Sequence, residues 1–454
     1  MPAEPEENGG TARTEPVVDP ATPQEALALL SARGVRYLRL TVTDVFGVVR
    51  GMEVTARQFR KALDGQIMFD GSAMDGDARV EESDMLLRPN LRTLRVLPWE
   101  PEVGVVACAV HRPDGGRFEG DPRSSLERAV AWLDALGYEA LVGADLEFFL
   151  FLRDAAGAAT GTPHDQGGFY DLLPADRASH TRRDMLDALE AMGIEVRSSH
   201  HEVSPGQHRI ELSPLPALEM GDSLATLRAL VREVADRHGL HASFMPKPLQ
   251  GRNGSGLHLH HSLWQDGRNA FFDAEARDEL SDTLRLYVGG LLHHARAYCA
   301  VTNPVVNSYK RLVPAHEAPV NVAWSLHNRS PMIRIPMERG GDTRCEVRIA
   351  DAAANPYLAI AVQIAAGTEG LREEIDPGEP INKNLQTLTP REKQRLRVPE
   401  LPRHLGEALD ELERDRVTRS ALGEYVYSRF TDGKREEWLE YLAHVHPWEV
   451  DRYL

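Results

Sequence analysis

Cysteine is scarce in this sequence: Cys108, Cys299 and Cys345 are the only three in 454 residues. They lie far apart and form no CxxC or disulfide pattern, which argues against a disulfide-built secreted domain and a thiolate metal centre. Long apolar runs are missing too. None approaches the roughly 18 residues a membrane span needs, so no membrane partner is expected. The acidic start lacks the apolar segment of a secretory leader, and a cytoplasmic location is the simplest reading. Positive charge is in deficit: the net charge is −17, which argues against nucleic acid as a partner. An anionic substrate would therefore need a locally positive pocket. There is no internal repeat, no P-loop and no dinucleotide fingerprint.

What is present is the composition of an ordinary folded protein, 42% hydrophobic and 27% charged. A chain of 454 residues can bury a large core and should hold two or more domains. Residues 1–21 are rich in Pro, Glu and Gly, with little to bury, and read as a disordered tail. "TPQEALALLSARG" then opens a helix, with Thr22 as N-cap, Pro23 at its first position, Glu25 closing a capping box and Gly34 as the stop. "VRYLRLTV" alternates like a strand and "TDVFGVVRG" reads as its return. A short helix near 55–63 and strand near 91–110 complete a small α+β domain over 22–118. "DPRSSLERAVAWLDALG" opens a larger domain over 119–454, in which strands alternate with helices near 179–192, 222–238, 278–300 and 355–372.

Side chains two apart on a strand share a face. In "ADLEFFLF" this pairs Asp145 with Glu147, in "GLHLHHSLW" His258 with His260, and in "TRCEVRI" Arg344, Glu346 and Arg348. Each strand alone reads as a sheet with one face in solvent. Together they offer the histidines and carboxylates that divalent cations and their surroundings use, beside arginines suited to phosphate. "QGRNGSGLH" is a Gly-rich turn that could bring backbone N–H groups to an anion. Lys310, Arg311, Arg329 and Arg334 fall among apolar and Pro residues, so several are expected in a packed wall. Carboxylates for Mg²⁺ with fixed arginines suit phosphoryl transfer from ATP.

From about residue 22 onward the chain resembles type I glutamine synthetase. The motifs are "FDGSAMDG", "ADLEFFLF", "SHHEVSPGQHRIEL", "HASFMPKP", "NGSGLHLH", "VTNPVVNSYKRLVP", "NRSPMIRIP" and "AANPYLA". The lack of a mid-chain insertion and the close "HVHPWEVDRYL" look most like the short alpha branch. The resemblance implies an α+β fold, with an N-terminal β-grasp domain and a catalytic domain built round a funnel-shaped antiparallel sheet. It implies a homo-oligomer, a dodecamer of two hexameric rings, in which Asp70 enters the next subunit's funnel. It also implies a two-step ligase: ATP phosphorylates the γ-carboxylate of glutamate with Mg²⁺ or Mn²⁺ bound, and ammonia or another amine attacks the acyl phosphate.

Carried over by position, one metal site would take Glu147, Glu202 and residue 209, and the other Asp145, His258 and Glu346. Asn253 and Gly254 would hold glutamate, with His260 nearby. Arg311, Arg329, Arg334 and Arg348 would serve glutamate and the phosphates, with Ser255, Arg329 and Arg334 on ATP. Asp70, Arg329 and Arg348 would be catalytic, as would Glu317, the flap residue that takes the amine's proton.

The departures are specific. Asp145 and Arg209 stand where the family has glutamate. Ala73 and Phe169 stand where the ammonium pocket has serine and tyrosine, with Tyr170 one place late. Gln386 stands where the beta branch adenylylates a tyrosine. Arg209 is expected to point inward and pair with Glu147 or Glu202, leaving Asp145, His258 and Glu346 as the main Mg²⁺ position. The loss of polar groups at 73 and 169 favours an organic amine over ammonia. The rival reading is a non-catalytic homologue kept as a regulatory or structural subunit. Kinases of guanidino groups share the general fold, but "NGSGLHLH" and the flap motif argue against them.

Overall fold

The computed structural model describes residues 19–74, 84–314, 317–326, 328–383, 385, 389, 391–392 and 398–454. Most of the expected tail, and Gln386, lie outside these residues. Residues just before Thr22 already make contacts: Asp19 pairs with Arg95 at 2.9 Å and Pro20 is buried.

The first helix, α1 (Pro23–Ala32), has the expected capping box between Thr22 and Glu25. It covers a six-stranded sheet of β1 (Tyr37–Thr43), β2 (Val49–Thr55), β3 (Ile67–Asp70), β4 (Asp84–Pro89), β5 (Arg95–Leu97) and β6 (Glu100–His111). The order is β2–β1–β6–β4–β3, with β5 on β6 and β1 parallel to β6. This is the β-grasp domain. The return strand starts only at Val49, because the Asp44 carboxylate accepts N–H bonds from Phe46 and Val48 and holds 44–48 as a turn. The β3–β4 hairpin carried too little alternation to be anticipated. Helix α2 (Phe59–Leu63) follows β2, and Leu91–Thr93 is a 3₁₀ turn, not strand.

The larger domain is a ten-stranded sheet wrapped by helices. Its path is β14 (Trp324–Ser325), β15 (Ile333–Arg334), β16 (Cys345–Val347), β12 (Leu257–Gln265), β7 (Glu139–Arg153), β10 (Gln207–Pro216) and β9 (Val196–His201). Strands β8 (Ala159–Pro163) and β11 (Leu240–Ser243) also pair with β7, and β13 (Arg268–Asn269) with β12. Almost every residue of β7 is buried, so both of its faces are covered. One face meets helices α3 (Pro122–Asp134), α4 (Ser179–Ala191) and α5 (Ala217–Arg237), and the other lines the site. The helix expected over 278–300 is two, α6 (Asp282–His293) and α7 (Ala295–Thr302), followed by the short α8 (Ser308–Arg311).

Helix α9 (Pro356–Arg372) is apolar round most of its circumference and runs through the core. It crosses α6 in backbone contact: a Cβ on Gly290 would meet the Ala366 carbonyl oxygen at 2.0 Å. Asn355 caps α9 through its side-chain oxygen and also donates from Nδ2 to the carbonyl oxygens of Asp44 (2.9 Å) and Val45 (3.3 Å). The residue that starts the core helix thus ties it to the β1–β2 turn. Helices Leu405–Arg414, Arg416–Leu422, Glu424–Ala443 and Pro447–Tyr453 close the chain.

Candidate active site

Strand register builds the site. Glu147 lies directly opposite Arg209, Asp145 opposite His258, His260 opposite Glu346, and Glu346 opposite Arg334. Directly opposed residues bring their Cβ atoms to about 4.5–5.5 Å, so one polar face runs across five strands. The solvent-facing reading of these strands is wrong as a whole: Asp145, Glu147, Glu202, His258, Glu346 and Arg348 are all buried.

Arg209 points inward and each of its three guanidinium nitrogens faces a carboxylate. Nε is 2.8 Å from Glu202 Oε1, Nη1 is 3.5 Å from Asp145 Oδ2, and Nη2 pairs closely with Glu147 Oε1. The other oxygen of Glu147 accepts from Gly256 N (2.8 Å) and Gln207 Nε2 (3.2 Å). Gln207 also donates to the Gly254 carbonyl, a link that its place in the "GQHRIEL" stretch could have suggested. Burial would raise the Glu147 carboxyl, but Arg209, His258, the Gly256 N–H and Arg311 together outweigh it and bring the pKa down to about 2. For Arg209 itself burial lowers the pKa, and Glu147, Glu202 and Asp145 more than reverse that, so it stays charged.

A second centre forms between β7, β12 and β16. His260 Nε2 is 3.1 Å from Asp145 Oδ2, and His258 Nδ1 lies 3.8 Å from Asp145 and 3.5 Å from Glu346. Arg334 and Arg348 both pair with Glu346. The two histidines part electrostatically. Burial lowers both, but Asp145 brings His260 back above its ordinary value, while Arg348 adds to burial and pushes His258 further down. Burial raises Asp145 and Glu346, and the surrounding histidines and arginines overcome it to hold both ionised.

The other sequence-derived residues divide. Asn253 donates to Glu317 Oε2 at 3.0 Å, and both line a small cavity of about 30 Å³ with Gly254, Arg311 and Arg348. Gly254 is required by packing, since a Cβ there would sit 2.0 Å from the Pro246 carbonyl oxygen. Glu317 is held at a positive φ of 55°. Burial first, then Glu202 and Glu147, raise its carboxyl above the ordinary value. Arg311 is buried but donates to the carbonyls of Ile349 and Arg348. Ser255 is sequestered behind the cavity, with no exposed surface. Arg329 and Lys310 are exposed rather than packed, and Arg344 turns away to the 338–342 loop. Asp70 is exposed at the end of β3 and does not line this cavity.

The two predicted metal positions fare differently as donor sets. Asp145, His260 and Glu346 present ligand atoms within 4.8 Å of one another, and His258 Nδ1 and His260 Nδ1 are buried with no hydrogen-bond partner. Imidazole nitrogens left unpaired in a buried cluster beside two carboxylates fit a divalent cation. His260 therefore joins the set that had been assigned to His258 alone. Glu147 and Glu202 do not fit one, because Arg209 occupies the place between them.

Asp165, His201 and His208 form another compact group, missed in the sequence because their partners lie far apart in the chain. Most of its donors are already engaged, and His208 Nε2 is the one left buried without a partner. Asp165 Oδ1 takes His201 Nε2 (2.9 Å) and the N–H groups of Gly167 and Gly206, and Arg182 faces His208 Nδ1 at 3.0 Å. It acts as a buried clasp that fastens the 164–178 loop to β9. That loop carries Phe169 and Tyr170, whose rings lie 5.8 and 4.4 Å from the ring of His200. His200 in turn places Nε2 3.2 Å from Glu202.

Comparison with known proteins agrees with this architecture. Residues 34–113 match the glutamine synthetase β-grasp domain and residues 119–453 the glutamine synthetase catalytic domain. The chain is 50% identical to the glutamine synthetase of Thermus thermophilus, over 95% of this chain and 99% of the relative. It is 46% identical to that of Methanosarcina mazei, over 95% and 98%. Among solved structures it resembles GmaS in complex with ADP, with a TM-score of 0.86 and 31% identity over 94% of this chain and 99% of that one. Apo GmaS superposes with a TM-score of 0.85 at 33% identity, over 93% and 97%.

Proposed function

This chain belongs to the glutamine synthetase family, and on that premise we propose that it joins the γ-carboxylate of glutamate to an organic primary amine at the expense of ATP. It is a glutamate–ammonia/amine ligase, of a family dependent on ATP and a divalent metal in general. In the reaction, a γ-carboxylate oxygen attacks the terminal phosphorus of ATP and ADP leaves. The amine nitrogen then attacks the acyl carbon, inorganic phosphate leaves, and the amine loses a proton.

The carrying observation is the Asp145–His258–His260–Glu346 cluster with Arg334 and Arg348 beside it. These residues would hold Mg²⁺ or Mn²⁺, whose charge would offset that of the transferring phosphoryl group. Arg348 and Arg334 supply fixed positive charge next to it. Asn253 and Gly254 would hold glutamate, a role their position in the lining of the small cavity supports. Glu317, with its raised pKa, suits the group that accepts the amine's proton. Ser255, being sequestered, would reach ATP only through its backbone neighbours, and Arg329 is the exposed candidate for the nucleotide.

The acceptor is the finer point. Phe169, Tyr170 and His200 bring three rings together beside Glu202. Ring faces next to a carboxylate suit an alkylammonium ion, and each buried CH₂ adds about 0.8 kcal/mol that ammonia cannot gain. Ala73, in the position that carries a serine hydroxyl by resemblance, removes a polar contact for free ammonium. Since Asp70 lies outside its own chain's cavity, the assembly that supports this reading is a ring oligomer, a dodecamer by family, with Asp70 serving the neighbouring site.

A coupled phosphate-release assay with glutamate, ATP and Mg²⁺ tests the proposal against ammonia and a series of alkylamines and polyamines. A higher kcat/KM for a carbon-bearing amine is the expected result. A clear preference for ammonia defeats the acceptor assignment, and no phosphate release with any amine tested would restore the non-catalytic reading.

A further inference from the structure

Resting on the ligase reading above, we infer that Arg209 is a built-in cation that takes the place of one divalent ion, so that each subunit holds a single ion between Asp145, His258, His260 and Glu346. The resemblance implies two ion positions. This chain keeps the donors of one and fills the other with its own side chain.

Three observations carry the inference. Arg209 leaves β10 directly opposite Glu147 and meets three carboxylates with its three nitrogens, so its fork satisfies the charges an ion would otherwise bridge. The second oxygen of Glu147 is already occupied by Gly256 and Gln207, which leaves it no free direction for a ligand bond. The third observation is that the two departures at this site fit together. Asp145 is the diagonal neighbour of Arg209, and its Oδ2 stands 3.5 Å from Nη1. A glutamate at 145 would extend one CH₂ further and overrun that gap. The short side chain therefore makes room for the guanidinium while still reaching His260.

A second ion at this position would also sit within a few ångströms of a fixed positive charge in a poorly solvated pocket. Repulsion at that range weakens binding on the order of 10²–10³-fold. Arg209 does not step aside by losing its proton, because a guanidinium stays protonated at any working pH. The cation at this position is thus permanent and independent of metal supply.

The test is a Mn²⁺ titration of the stripped, assembled protein, followed by electron paramagnetic resonance and by elemental analysis after desalting. No glutamate, ATP or amine is present, so the count is read whether or not the ligase assignment holds. One tight ion per subunit is expected for the natural protein and two for Arg209→Glu. The double variant Asp145→Glu with Arg209→Glu is expected to give two as well, and serves if the single change fails to assemble. Two equally tight ions in the natural protein overturn the inference. So does an unchanged count in both variants.

Discussion

Removing the Asn355 side chain should loosen two places that are 310 residues apart in sequence, and by separable amounts. Its Oδ1 accepts from Tyr357 N (3.1 Å) and Leu358 N (3.4 Å), the first free amides of α9. Its Nδ2 donates to Asp44 O and Val45 O in the β1–β2 turn. Losing the cap costs about 1 kcal/mol. The carbonyl of Asp44 keeps a second partner, Gly47 N at 3.0 Å, so its loss is small. Val45 O would be left without its donor in a buried place, at about 1 kcal/mol or somewhat more. Asn355→Ala is therefore expected to cost about 2–3 kcal/mol. Asn355→Ser retains an acceptor for the cap but cannot bridge, and should cost about half of that. Native-state hydrogen exchange reads both ends. The alanine variant should speed exchange of Tyr357 and Leu358 and of the 46–48 turn, roughly 5-fold for each kcal/mol lost. The serine variant should speed only the turn. Equal acceleration at both ends in both variants would refute the division into cap and bridge, and no acceleration would refute the role altogether.

Three further outcomes are expected. Tyr170→Ala should lower kcat/KM for an alkylamine by about 2- to 5-fold, consistent with about 0.5–1 kcal/mol for an exposed ring, while ammonia changes little; an equal drop for both would mean that the ring only supports the loop. Mixed oligomers of Asp70→Ala and Arg348→Ala subunits should recover activity that neither variant shows alone, and failure to do so would place Asp70 outside the neighbour's site. Burial raises Asp415, but its bond from His294 (2.6 Å) and the Thr418 amide that it caps hold it below the ordinary carboxylate value. A depressed folded pKa contributes stability above the unfolded value of about 3.8 and loses it as pH falls through the folded one. Asp415→Asn should thus be less stable than the natural chain at neutral pH by about 1.5–3 kcal/mol, with the gap in urea midpoint closing below pH ~4; a gap that persists unchanged in acid would show that the charge plays no part.

Much of the site was readable in the sequence because strand periodicity is local. Alternation put Asp145 with Glu147 and His258 with His260 on common faces, and capping signals started α1 and α3 where they begin. The inward turn of Arg209 was also legible, since a strand leaves its side chain only two directions and one is filled by the apolar core. Which residues meet across strands was not. Register decides that His260, and not His258 alone, stands by Asp145 and Glu346, and register is set by the packing of whole strands. The clasp of Asp165 with His201, the withdrawal of Ser255 and the exposure of Arg329 likewise depend on contacts between distant segments. The sequence by itself determined which chemical groups the polar face carries, because local geometry fixes facing. Only the tertiary structure decided how they pair, because a charge in a buried pocket takes the nearest partner in space, whatever its distance along the chain.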